Sequence, residues 1–233
     1  MTVGQMAALG QHNPPTAKWV PVAETDMESL LLGPEDVRDS VQLPDIIDAV
    51  EDAFAAYARD DVQMPAKSYI DLPQYNGDFR SMPAYVSADD WDAAAVKWVN
   101  VHTDNPEDHG LPTVMGTIIY SDPETAFPLA LLDGTTLTRL RTGAAAAVAT
   151  RHLAPEDATA LGLVGAGIQS HTQLEAIAQV RDIETVVVSD KSDEAIAAFR
   201  ERYGAEYDVR EGTIEEAAAC PVLSTTTPVR EPI

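Results

Sequence analysis

A glycine turn and four scattered cations are the residues whose types and spacing could do chemistry. Ala160-Leu161-Gly162-Leu163-Val164 is an apolar run that stops at Gly165-Ala166-Gly167, and a helix-like segment, His171 to Val180, follows. A strand that ends in Gly-x-Gly before a helix collects backbone N–H groups and the positive end of a helix dipole, which suits the pyrophosphate of a dinucleotide. Ser170 stands where that pattern usually has Gly or Ala, and a tight turn without a ligand is the competing reading. Asp190 closes the next apolar strand, near the roughly 20-residue separation of the carboxylate that accepts ribose hydroxyls. A carboxylate there repels a 2′-phosphate and favours NAD, while Lys191 and Ser192 beside it keep NADP open.

The lysines are few: Lys18, Lys67, Lys97 and Lys191. Lys67 is read on one strand face with Tyr69 and Asp71. Arg80 falls between Phe79 and Met82, Lys97 between Val96 and Trp98, and Arg141 opens a segment of small residues. A cation inside an apolar strand costs free energy unless paired, and a desolvated lysine titrates at lower pH, which equips it for acid–base work. Arginines add two-point donors for a carboxylate. Together the four describe a cationic pocket for a small anion, although each alone also reads as a snorkelling or ion-paired residue. His102 and His109 flank an acidic loop, Thr103 to Asp108, without metal-ligand spacing, so no metal is expected. His152 and His171 read as helix-surface residues. Cys220 is the single cysteine, which excludes an internal disulfide and reads as a buried small residue.

The elements that must position these residues change character along the chain. Residues 1–26 read as a flexible extension, with Met27 an alternative start. Residues 27–137 hold a short strand at Leu30-Leu31-Leu32 and a helix, Asp45 to Asp60, with an apolar stripe of Ile46, Ile47, Val50, Phe54 and Tyr57. Strands follow over Lys67–Leu72, Phe79–Val86, Ala94–Val101, Val114–Tyr120 and Phe127–Leu132, the simplest arrangement being a largely antiparallel sheet with one flanking helix. Residues 138–155 form a connecting helix whose Gly143 to Ala147 run permits close approach of another backbone. From residue 156 to 233 strands and helices alternate: strands Leu161–Val164, Thr185–Ser189, Tyr207–Val209 and Val222–Thr225, with helices Asp193–Tyr203 and Ile214–Ala219. The fold class is therefore α/β, a Rossmann-type doubly wound parallel sheet of about four strands, incomplete against the usual six, preceded by an α+β domain.

The chain of 233 residues carries 38 acidic against 15 basic side chains, a net charge of -23. That balance argues against nucleic acid, which needs a basic footprint. No apolar run is long enough to span a membrane, and no secretory signal opens the chain, so the cytoplasm is the default. With 45% hydrophobic residues the charge does not signal disorder, and a salt-adapted surface fits it. Unfolding more readily in molar salt than in dilute buffer would exclude that reading.

Several stretches also resemble the ornithine cyclodeaminase/mu-crystallin family, including its archaeal alanine dehydrogenases. They are Met64-Pro65-Ala66-Lys67, Phe79 to Tyr85, Val96 to His102, Asp104-Asn105-Pro106, Gly110 to Met115 and Asp122 to Thr125. The series continues with Leu140 to Ala144, Gly165 to Gln169 and Thr225 to Pro228. The resemblance implies a homodimer whose first domain binds substrate and dimerises and whose second binds NAD. It makes Lys97 the catalytic lysine and gives the substrate carboxylate to Lys67, Arg80 and Arg141. It assigns Thr113, Arg141, Ile168, Gln169 and Asp190 to the cofactor, together with Gly165 and Gly167, and puts Thr225 or Thr226 near the nicotinamide. The implied reaction passes hydride between an amine-bearing carbon and the nicotinamide through an imine. Arg80 stands where ornithine-specific members are expected to have an acidic residue, which favours an alanine-like substrate. Ornithine cyclodeaminase, or a non-catalytic NAD(P)H-binding protein of mu-crystallin type, are the alternatives. The resemblance further implies a catalytic Asp segment and a C-terminal helix beyond Ile233.

Overall fold

The computed structural model describes residues 20–21 and 28–227. Most of the expected extension at 1–26, the alternative start at Met27, and Pro228 lie outside the described residues. Two sheets organise the rest. In the first, β1 (Val20–Pro21), β2 (Glu28–Leu32), β3 (Val62–Gln63), β4 (Ser68–Leu72), β5 (Gly77–Ser87), β6 (Asp92–His102), β7 (Val114–Ser121) and β8 (Pro128–Asp133) pair in the order β1-β2-β8-β7-β6-β5-β3, with β4 also on β5. Long alternating strands joined by short connections, the one between β6 and β7 holding a short helix, make the β5–β6–β7–β8 meander antiparallel. The sheet is nevertheless mixed, because β2 joins β8 in parallel. Val20 and Pro21, expected in a flexible extension, pair with β2.

More than one helix flanks this sheet. The helices are α1 (Pro34–Asp39), α2 (Leu43–Ala58), α3 (Asn105–His109) and α4 (Gly134–Leu153). The α3 segment was expected as a loop; Pro106 in its first turn, Glu107 and Asp108 at its positive end and left-handed Gly110 after it make a short helix instead. The α4 helix begins about one turn before the expected residue 138, because the Asp133 side chain accepts from Thr136 N–H at 2.7 Å and caps it. Arg141 therefore lies mid-helix and does not open it. On α2 the apolar stripe divides: Ile47 is fully buried with Ile46 and Val50 beside it, whereas Phe54 and Tyr57 are exposed.

The second sheet is wholly parallel: β9 (Ala160–Val164), β10 (Thr185–Ser189), β11 (Asp208–Glu211) and β12 (Val222–Thr225) in the order β11-β10-β9-β12. This reproduces the 3-2-1-4 part of the doubly wound order and places its reversal between β9 and β12. The intervening helices are α5 (Ile168–Ile177), α6 (Asp193–Tyr203) and α7 (Ile214–Ala218). Leu161, Leu163, Val186, Val188, Leu174, Ile177 and Phe199 form its core. His171, expected on a helix surface, is half-buried on α5 and stacks on Phe199 at 5.0 Å, with burial and the nearby Arg202 lowering its pKa against a weaker pull from Glu175. Cys220, expected to be buried, is partly exposed after α7.

The two sheets meet where α2, α4 and α5 pack through Ile47, Ala144, Ala147, Val148 and Ala176. A Cβ at Gly143 would stand 2.5 Å from the Thr172 carbonyl oxygen, so only glycine permits that approach of α4 to α5. The face of the first sheet away from α4 carries an apolar row across five strands, Leu31, Leu131, Ile119, Val96 and Pro83, and Leu31, Leu131 and Ile119 are exposed. Among the described residues no helix is long and apolar enough to cross a membrane.

Candidate functional site

Strand register puts the cations of the first sheet on one face. Lys97 on β6 lies opposite Met82 on β5 and Ile118 on β7, and Arg80 lies opposite Val99 of β6 and Tyr69 of β4. Directly opposed residues in an antiparallel pair share a face, so Arg80 is the diagonal neighbour of Lys97. Lys67 precedes β4 and is exposed, so the strand position read for it from sequence falls one residue outside the strand.

The Lys97 side chain enters a cavity of about 490 Å³ between the sheet, α2 and α4. Ile46, Ala49, Val50, Ala53, Ile118 and Leu137 form its apolar wall, with Lys97, Thr138, Arg141, Ser40 and Asp45 as its polar groups. Lys97 Nζ donates to Thr138 Oγ1 at 3.4 Å. Burial lowers the Lys97 pKa, and the charges of Arg141 and Lys67 lower it further. Arg141 opens onto the same space, and the crowding of its surroundings lowers its own pKa by desolvation. Neither Lys97 nor Arg141 has an ion-pair partner among the described residues. Two cations beside an apolar wall, with no carboxylate within ion-pair distance among the described residues, have the chemistry to receive a small carboxylate.

Arg80 is arranged differently. Its Nε and Nη2 donate to the two carboxylate oxygens of Asp78, each at 2.8 Å. The hydrogen bonds from Arg80 hold the Asp78 pKa below the ordinary carboxylate value, despite some burial. The four cations expected in one pocket therefore divide: Lys97 and Arg141 line the cavity, while Lys67 and Arg80 lie against the Tyr69 ring at 5.9 and 5.4 Å.

A second cavity of about 390 Å³ shares Thr138 with the first and joins the two sheets. Thr113, Arg139, Ile168 and Gln169 line it, so Thr113, Ile168 and Gln169, which the family resemblance groups together, share one cavity. Arg141 does not line it; Arg139, two positions earlier and on another face of α4, does. Gln169 Oε1 is buried there without a hydrogen-bond partner.

The glycine turn sits at the reversal of strand order. Gly165 has φ 103°, and a Cβ on it would lie 2.7 Å from Thr226 Oγ1, so both backbone and space demand glycine. Thr226 donates its hydroxyl to Gly165 O at 3.2 Å and bolsters the turn from β12, while Thr225 is exposed at the strand end. Gly167 is the N-cap of α5, and a Cβ there would meet nothing within 4 Å, so the helix N-terminus opens onto free space. The helix starts earlier than the expected His171 because Gly167 leads straight into it. Ser170, fully buried, donates to Gly167 O, which accommodates a hydroxyl where Gly or Ala is usual. Asp190 Oδ2 accepts from Ala166 N–H at 2.6 Å and Oδ1 from Ser192 N–H at 2.9 Å. Burial raises the Asp190 pKa, but the N–H groups of Ala166, Ser192 and Lys191 outweigh it and hold the carboxylate ionised. An open helix N-terminus, a positive-φ glycine, an ionised strand-end carboxylate and the orphaned Gln169 oxygen fit a dinucleotide.

Sequence reasoning missed Asp78, Tyr69, Thr138 and Arg139. The Asp78-x-Arg80 alternation is a legible signal, since residues two apart in a strand share a face. Thr138 and Arg139 become visible only once α4 is placed against the sheet.

The chain is similar to known proteins. The model of the ornithine cyclodeaminase/mu-crystallin family matches residues 27–233. The alanine dehydrogenase of Archaeoglobus fulgidus is 42% identical over 210 residues, which cover 89% of this chain and 62% of that protein. A solved archaeal alanine dehydrogenase dimer with bound NAD superposes with a TM-score of 0.82 at 41% identity, over 89% of this chain and 63% of that one. The Δ1-pyrroline-2-carboxylate reductase of Thermococcus litoralis, solved with NADH and L-proline, gives a TM-score of 0.79 at 35% identity, over 87% of this chain and 63% of that one. The chain thus spans less than two thirds of the length of these relatives.

Proposed function

The chain belongs to the ornithine cyclodeaminase/mu-crystallin family, and from that premise we propose that its protein is an NAD-dependent oxidoreductase acting on a small, alanine-like 2-amino acid through an imine, with release of ammonia. The observation that carries the reading is the pair Lys97 and Arg141, two cations without an ion-pair partner among the described residues, in a cavity that shares Thr138 with the cavity of Thr113, Ile168 and Gln169.

Gly165, Gly167, Ile168, Gln169, Asp190 and Thr113 would hold NAD, with Thr225 or Thr226 near the nicotinamide. NAD supplies the hydride acceptor. Arg141, with its guanidinium free, takes the substrate carboxylate, aided by Lys67 and Arg80. Lys97, with its pKa lowered by burial and neighbouring charge, gives up its proton more readily than an ordinary lysine, which equips it for acid–base work. In its neutral form Nζ accepts a proton from the water that attacks the imine carbon. In its charged form it returns a proton to the departing nitrogen, so ammonia leaves and a 2-oxo acid remains. The ionised Asp190 favours NAD, because a 2′-phosphate placed beside it would be repelled.

In this reading residues 27–137 bind substrate and dimerise, 138–155 connect, and 156–233 bind NAD. The exposed row Leu31, Leu131 and Ile119 supports a homodimer formed through the open sheet face. The single cysteine supports a cytoplasmic setting, and the net charge of -23 a salt-adapted surface. The test is NADH oxidation by the full-length protein in high salt with pyruvate plus ammonia, ornithine or a cyclic imine. Turnover of pyruvate plus ammonia is expected. NADH binding without turnover of any of them would make the protein a non-catalytic carrier.

A further inference from the structure

Arg139 falls one residue outside the resembling stretch Leu140 to Ala144 and faces a different space from Arg141. Residues two apart on a helix point roughly 200° apart around its axis. Arg141 accordingly opens onto the Lys97 cavity, and Arg139 lines the cavity of Thr113, Ile168 and Gln169. Thr138 borders both, so α4 is the partition between them. Arg139 is partly buried and has no ion-pair partner among the described residues. No carboxylate lines its cavity. Asp133 shares an adjoining cavity of about 460 Å³ with Arg139, but its side chain is engaged as the cap of α4.

Ile168 and Gln169 are the first two residues of α5, after the Gly167 cap. The cavity thus receives the positive end of a helix from one sheet and a guanidinium from the helix flanking the other. Gln169 Oε1 is buried there without a donor. An anion alone would satisfy Arg139 but not this oxygen, which needs an O–H or N–H. A ribose phosphate supplies both, charged oxygens for the guanidinium and hydroxyls for the amide oxygen. Asp190 marks the adenosine end of the cofactor, whereas this cavity adjoins the Lys97 cavity through Thr138, where hydride must pass. We propose that Arg139 binds the nicotinamide-side phosphate of NAD, and that Gln169 Oε1 accepts from a hydroxyl of the ribose beside it. One helix then serves two anions, the substrate carboxylate at Arg141 and the cofactor phosphate at Arg139. This inference rests on the NAD-binding reading above.

The experiment titrates the full-length protein and its Arg139→Gln, Arg139→Lys and Gln169→Leu variants with NADH by fluorescence, and with ADP-ribose and AMP by displacement of NADH. ADP-ribose keeps both phosphates and the second ribose, and AMP keeps only the adenosine-side phosphate. The thermal midpoint serves as the folding control. Arg139→Gln is expected to weaken NADH and ADP-ribose by about 10-fold each, the range of a lost charge-assisted hydrogen bond, with AMP unchanged. Arg139→Lys should recover part of that loss, because the charge remains while the fork is gone. Gln169→Leu should weaken the same two ligands by about 3-fold. Unchanged ADP-ribose affinity in Arg139→Gln overturns the proposal, and so does an equal loss for AMP, which would mean the other phosphate or a disturbed fold. A parent protein that binds NADH but turns over no 2-oxo acid removes the dehydrogenase reading and leaves these affinities to decide the phosphate assignment. A parent that binds no NADH overturns both.

Discussion

Two parts of the region over one sheet face treat their cations in opposite ways. Lys97 and Arg141 stand beside the apolar wall of α2 with no ion-pair partner among the described residues, and both have depressed pKa values. Arg80, one diagonal step from Lys97, has its charge matched by Asp78 and its pKa raised, chiefly by that hydrogen bond. An unpaired, partly desolvated cation lowers stability and gains most from an incoming anion; a paired one is already satisfied and contributes shape. The difference separates groups equipped to bind and react from groups equipped to orient.

The largest effect should come from Lys97→Ala, which is expected to lower kcat by about 10³-fold, the range of a lost general acid–base. NADH fluorescence titration should show cofactor affinity retained, since Lys97 does not line the cavity of Ile168 and Gln169. Undiminished turnover would remove Lys97 from the mechanism.

Next come the arginines. Arg141→Lys, which keeps charge but loses the fork, should raise KM for the 2-oxo acid by about 100-fold, whereas Arg80→Gln should raise it only about 5-fold. Steady-state kinetics on both variants decides, and equal costs would erase the distinction between the two parts.

The smallest effect is on stability. Folding lowers the Lys97 pKa, so between the folded value and the ordinary lysine value the unfolded chain holds more protons at this site. Stability contributed by this site therefore rises with pH across that window, and the penalty is complete below it. Lys97→Met should raise the denaturation midpoint at neutral pH and flatten its rise toward alkaline pH. Chemical denaturation at a series of pH values measures both, and an unchanged slope would mean that Lys97 is compensated after all.

Much of this was legible in the chain because it depends on neighbours in sequence. The strand–turn–helix at Gly165–Gly167 needs a local apolar run, a positive φ and an open helix start, and each leaves a mark in residue type. The parallel second sheet followed from alternating strand and helix patterns. The helix starts were less legible: the α4 cap lies in Asp133-Gly134-Thr135-Thr136, a signal easily passed over beside the alanine run. The parallel pairing of β2 with β8 left no local mark, since about a hundred residues separate the strands and only sheet assembly brings them together.

From residue types and spacing alone came the dinucleotide turn, the acidic strand end at Asp190 and a set of cations set in apolar strands. Their division was decided by tertiary structure. Whether a cation is catalytic, binding or orienting depends on which carboxylate lies within hydrogen-bond reach and how much water surrounds it. Asp78 reaches Arg80 because both leave one strand face; among the described residues no carboxylate pairs with Lys97 or Arg141, to which α2 brings a largely apolar wall. Residue type sets what a group can do, and the field and solvent exposure assembled around it by distant segments set what it does.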